Sequence, residues 1–127
     1  MKRLKEEYQS LDSQNLARTC SQIGLTSKAE NVVVLDVREM SSFTDYFVIM
    51  SGRSTRHVQA LADSLEGELR SKRIKTSRTE GMQEGKWVLL DFGDVVVHVF
   101  YHEQREFYDL EGLWHDAPRI DDLSDHK

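Results

Sequence analysis

Trp87-Val88-Leu89-Leu90-Asp91-Phe92-Gly93-Asp94-Val95-Val96-Val97-His98-Val99-Phe100 consists of two β-rich runs hinged at Gly93-Asp94. Glycine adopts positive φ without steric cost, which suits the first position of a two-residue hairpin turn. The turn dictates a register. Phe92 faces Val95, Asp91 faces Val96, Leu90 faces Val97, Leu89 faces His98, Val88 faces Val99 and Trp87 faces Phe100. Because side chains alternate along a strand, one face is wholly apolar: Val88, Leu90, Phe92, Val95, Val97 and Val99. That face belongs on a core. The other carries Trp87, Leu89, Asp91, Val96, His98 and Phe100, large apolar groups mixed with a carboxylate and an imidazole. Such a face is either a second packing layer or a binding surface, and the pattern alone weights the two equally.

The chain has 127 residues, enough for one domain with a real core. Seventeen basic against twenty-two acidic residues give a net charge of −5. A bulk electrostatic grip on nucleic acid needs clustered positive charge, so no direct sequence-specific nucleic-acid partner is expected. No apolar run is long enough to span a bilayer, and no membrane partner is expected. Met1-Lys2-Arg3-Leu4-Lys5-Glu6-Glu7 has basic residues but no apolar stretch behind them, unlike a secretory signal. The lone Cys20 precludes an internal disulfide and fits a reducing, cytoplasmic setting.

Outward from the hairpin, the pattern predicts a helix over Gln14–Ile23, capped by Ser13 and ended by Gly24, with Leu16, Cys20 and Ile23 on one side. Ser27–Asn31 is expected to be a linker. Val32–Val37 reads as a strand buried on both faces, and Asp45–Ser51 as a second. Ser54 is the expected cap of the best-defined helix, whose Val58, Leu61, Ala62, Leu65 and Leu69 share one face. Ile74–Thr79 is expected to be a short third strand, and Glu103–Leu113 a helix pointing Phe107, Leu110 and Trp114 one way. Pro118 is expected to end ordered structure. The fold class expected is α/β (α+β), a single mixed sheet of about five strands flanked by helices.

No coherent catalytic set emerges. Ser51-Gly52-Arg53-Ser54-Thr55 joins a strand to a helix N-terminus, where amides favour anions. It lacks the P-loop pattern. A Gly-Ser-like turn also occurs in nucleotidyltransferases, but these need carboxylates on the neighbouring strand to hold metal, and Ile74-Lys75-Thr76-Ser77-Arg78 has none. Nucleotide binding at Ser51–Thr55 is thus the alternative function. His98 and His102 lie four apart, but the first is on a strand; no metal-ligand spacing is present. Cys20 reads as a small core residue. Neither a cofactor nor an enzymatic role is expected.

Several separated blocks nevertheless resemble one family in order. These are Leu35-Asp36-Val37-Arg38, Thr44-Asp45-Tyr46-Phe47-Val48-Ile49, Ser51-Gly52-Arg53-Ser54-Thr55-Arg56-His57-Val58, Glu80-Gly81, the hairpin itself, Arg105, and Tyr108-Asp109-Leu110-Glu111-Gly112-Leu113-Trp114. They resemble the Iojap family, also called ribosomal silencing factor S. The resemblance spans residues 31–120, which it marks as an Iojap-like domain behind an N-terminal helical segment (1–30) and before an acidic tail (121–127). It implies a nucleotidyltransferase-like topology without catalytic carboxylates. It also implies binding to the large ribosomal subunit through ribosomal protein fourteen, a block on subunit joining when nutrients are scarce, and, as in some members of the family, a homodimer when free. The family's tryptophan at the ribosomal-protein contact matches Trp87. Strand alternation extends the expected partner-binding set to Leu89, Asp91, Val96, His98 and Phe100, and proximity to the hairpin exit adds Arg105 and Tyr108.

Overall fold

A computed structural model describes the backbone of residues 2–120 and the side chains of residues 13–120. The expected acidic tail at 121–127 lies outside the described residues. The elements run α1 (Lys2–Thr26), β1 (Glu30–Asp36), β2 (Tyr46–Gly52), α2 (Thr55–Ser71), β3 (Arg78–Glu80), β4 (Trp87–Asp91), β5 (Val95–Tyr101), α3 (His102–Tyr108) and α4 (Leu110–Leu113). One five-stranded sheet has the order β1-β2-β5-β4-β3. β2 and β5 pair in parallel, and the other neighbours are antiparallel. The fold is α+β.

The hairpin has the register expected of it. Trp87 pairs with Phe100, Val88 with Val99, Leu89 with His98, Leu90 with Val97 and Asp91 with Val96, and Phe92 N–H donates to Val95 O at 2.9 Å. Gly93 sits at φ +91°, the conformation the turn demands. Asp94 O in the turn accepts from Asp45 N and Tyr46 N, which aligns β2 beside β5. The apolar hairpin face joins the main core, where Val88, Leu90, Val95, Val97 and Val99 are all fully buried.

α1 and α2 cover that face. All five residues expected on the buried side of α2 are buried. Ser54 caps it by accepting from His57 N at 3.0 Å. At the other end Arg73 turns left-handed, and Ile74 N reaches back to Leu69 O at 2.8 Å, a Schellman closure. β2 lies between both layers, with every residue buried. Tyr46, Val48 and Met50 enter the main core; Phe47 and Ile49 enter a smaller one on the far face.

Five expectations are corrected. The first helix neither starts at Ser13 nor stops at Gly24. Lys28 takes the left-handed closing position, with Ala29 N bonded to Gly24 O, and Gly24 instead admits Met50, whose methyl would lie 2.6 Å from any Cβ there. β1 begins at Glu30, inside the expected linker, and is an edge strand, half-exposed over most of its length rather than buried on both faces. β3 is only Arg78–Glu80, because the Schellman closure carries the chain past Ile74 before pairing starts. The last helix is broken at Asp109, which adopts φ 49° and accepts from Gly112 N to cap α4; Phe107 then faces solvent, 77% exposed. Pro118 does not end the order. Proline lacks an N–H but keeps its carbonyl, which accepts from Asp36 N at 2.8 Å, and Ile120 N donates to Val34 O at 2.9 Å. This short return partly covers the β1 edge.

Candidate functional site

The second hairpin face is a packing layer at one end and open at the other. Strand alternation sends Trp87, Leu89, Asp91, Val96, His98 and Phe100 to the side away from α1 and α2. The chain after Tyr101 folds back over part of it. Phe100 is fully buried there, with Leu35, Val37, Ile49 and Ala117. Leu89, Asp91 and Val96 stay half-buried on the open part. Trp87 sits at the boundary, stacked on Phe100 at 4.8 Å and in ring contact with Tyr108 at 4.9 Å. Tyr108 is 48% exposed. Trp87 and Tyr108 therefore form a two-ring platform, backed by a buried third ring.

His98 binds the platform to the neighbouring strand. Its Nδ1 accepts from Trp87 Nε1 at 3.1 Å, and its ring meets Phe47 edge-on at 5.0 Å. Phe47 in turn meets Trp114 edge-on at 5.0 Å. Burial pushes the His98 pKa down to about 4. A neutral imidazole whose Nδ1 accepts must carry its hydrogen on Nε2.

Arg105 faces inward. Its guanidinium forms a fork on Glu111, 2.9 Å from Nε to Oε1 and 3.0 Å from Nη2 to Oε2. Nη1 donates to Asn31 O and to Ser51 Oγ, each at 2.8 Å. This latch ties α3, α4, β1 and the end of β2 together, and holds Tyr108 and Trp114 where they are. The Arg105 guanidinium holds the Glu111 carboxyl below its ordinary pKa. Ser51, the first residue of the alternative anion site, is thereby engaged, and Ser54 Oγ is engaged by the α2 cap. Nearby, His57 Nδ1 accepts from Arg53 N. Cys20 is fully buried in the main core, its thiol pushed up to about 12 by burial, where it stays protonated and inert.

Sequence reasoning missed the exposed apolar rim. Phe43 is 90% exposed, Phe107 77% and Leu113 76%. A phenylalanine in the polar loop Ser41-Ser42-Phe43-Thr44 was the available signal, since a loop offers it no core.

The family described as "Ribosomal silencing factor during starvation" matches residues 10–127. The Halalkalibacterium halodurans protein named ribosomal silencing factor RsfS is 45% identical over 94 residues, covering 74% of this chain and 80% of that protein. Its Bacillus subtilis namesake is 44% identical over 94 residues, with the same coverage. A crystal structure of a Chromobacterium violaceum protein superposes with a TM-score of 0.78 at 33% identity, covering 80% of this chain and 85% of that one. The blocks that make up the hairpin, the platform and the latch thus lie within a matched whole, and the chain belongs to the ribosomal silencing factor family.

Proposed function

We propose that this protein represses translation by binding the large ribosomal subunit and excluding the small one. The observation that carries the reading is the aromatic platform within a chain of the silencing-factor family. Trp87 and Tyr108 present ring surface on a rigid strand and a latched helix, with Leu89, Val96 and Asp91 beside them. Tryptophan and tyrosine with a polar fringe are the composition of interface anchors. The reading assigns direct contact to Trp87, Leu89, Asp91, Val96 and Tyr108. It assigns support to His98 and Phe100, which hold the Trp87 ring, and positioning to Arg105.

The partner proposed is ribosomal protein fourteen, on the subunit face that meets the small subunit. A protein target suits a net charge of −5 better than RNA does. The mechanism needs no reaction and no cofactor: the bound volume overlaps the space of the incoming subunit. The setting is the cytoplasm, and the same open face is available to a second copy when the protein is free.

Sedimentation of purified subunits with added protein tests this. The joined-ribosome peak should fall, and the protein should travel with the large subunit. Trp87→Ala should weaken that association by about 2 kcal/mol, roughly thirtyfold. Unchanged co-sedimentation of a folded Trp87→Ala variant removes Trp87 from the contact. A protein that stays at the top of the gradient while joining proceeds defeats the reading itself.

A further inference from the structure

Between the β1–β2 loop and the open sheet face lies a cavity of about 630 Å³, a volume in the range of ligand sites. Leu89, Val96 and His98 line it from β4 and β5, Phe47 from β2, Phe43 and Thr44 from the loop, and Trp114 from beyond α4. Two of these residues carry a buried polar atom with no hydrogen-bond partner among the described residues: His98 Nε2 and Thr44 Oγ1. Both belong to residues more than nine-tenths buried, at 5% and 6% exposure. An unpaired buried polar group costs about 1–3 kcal/mol. Two of them on one cavity is a cost that an occupant can remove.

Their chemistry defines the occupant. Because Trp87 donates to Nδ1, His98 offers an N–H donor at Nε2. Thr44 offers a hydroxyl, able to accept or to donate. A carboxylate tip would favour protonated His98, but a hydrogen on Nδ1 would break the Trp87 bond. An ammonium or guanidinium tip would set donor against donor at Nε2. An apolar tip would leave both groups unpaired. A phenol hydroxyl can accept from Nε2–H and donate to Oγ1, as an amide tip can, but only the phenol brings a ring suited to walls made of Phe47 and Trp114. At the rim Arg78 and Asp91 oppose each other in sign, so no net charge is selected there.

We propose that this cavity receives a tyrosine side chain presented by a protein of the large ribosomal subunit, its ring against Phe47 and Trp114 and its hydroxyl between His98 Nε2 and Thr44 Oγ1. This rests on the ribosome-binding reading above and names the side chain that the site takes. Both polar atoms are closed off from solvent, so the 41–44 loop must yield on binding. It is pinned within itself by Ser41 Oγ, which accepts from Phe43 N and Thr44 N. The largely exposed Phe43 ring adds little to that hold.

The test uses the full chain, labelled with ¹⁵N, and three probes: p-cresol, toluene and propionamide. p-Cresol should bind saturably and move the His98 Nε2 and Trp87 indole resonances. Thr44→Val keeps the shape but removes the hydroxyl. It should weaken p-cresol about tenfold and leave toluene unchanged. The same variant should bind purified large subunits about tenfold more weakly while staying folded. No movement of His98 with p-cresol, or tighter binding of propionamide, overturns the phenol assignment. If the wild-type chain binds large subunits and Thr44→Val binds them equally well, the cavity takes no part in that contact, though the ribosome reading survives. If the wild-type chain binds no subunit, the ribosomal source of the tyrosine falls with that reading, and the p-cresol titration still decides the cavity.

Discussion

His98 is neutral because of where the fold puts it. In the unfolded chain it takes up a proton near its ordinary pKa of 6.5, whereas in the folded protein burial defers that to about 4. Between those values unfolding takes up a proton, so acid favours the unfolded state. The contribution is complete above 6.5 and is lost as pH falls toward 4. That displacement of the pKa corresponds to about 3 kcal/mol. Urea unfolding of the wild-type chain and of His98→Gln at pH 7.5 and 4.5 measures it. The wild-type chain should lose more stability over that interval than the variant; equal losses would show that His98 does not titrate on unfolding. Thr44 runs the other way. Its hydroxyl is buried and unpaired, so Thr44→Val should raise stability by about 1 kcal/mol, read as a higher melting temperature. Weaker binding with greater stability marks a residue kept for contact rather than for folding.

At the scale of elements, the platform depends on a short C-terminal segment whose Leu110 and Trp114 pack on the smaller core. α3 and α4 have no fully buried residue of their own. The Arg105 latch therefore carries much of their attachment. The Arg105 and Glu111 side chains are 11% and 22% exposed, between the surface and buried regimes, so Arg105→Ala should cost about 2 kcal/mol. Hydrogen exchange should quicken at Gly112, Trp114 and Ile120 and stay unchanged in α2. Uniform exchange across both regions would mean that the latch is not what holds the segment. Because Arg105 lowers the Glu111 pKa, the latch is fully present above the ordinary carboxyl value and weakens as pH falls through the depressed one. Such coupling was not legible in the chain. Periodicity identified the hairpin, its register and the buried face of α2, because alternation and helical spacing are local. It could not show that β1 lies at an edge, since an apolar run reads alike in either place. Nor could it show that Arg105 turns toward Ser51 and Asn31, which are remote in sequence. Of the expected contact set, the face was legible; which of its members the chain's own end would cover was not.

For the whole molecule, charge and shape point to one kind of partner surface. A net charge of −5 on a particle rich in phosphate sets repulsion at long range against aromatic contact at short range. The main core lies on the α1 and α2 side, and the proposed interaction surface on the other. The sheet thus acts as a rigid plate, with β2 and β5 at its centre and the platform on its open side. Binding through rings rather than through phosphate contacts makes a definite forecast about salt. A factor that neutralised several phosphates would lose affinity steeply, about a thousandfold between roughly 50 and 200 mM salt for half a dozen contacts. On the proposed contact this protein would release few counterions, and screening of its repulsion would work in its favour. Its affinity for large subunits should therefore change by less than about threefold over that interval, or rise slightly. Fluorescence titration at a series of potassium chloride concentrations, with magnesium held constant to keep the subunits intact, gives the slope. A steep negative slope would place the main contact on RNA phosphates and move the interface away from Trp87 and Tyr108.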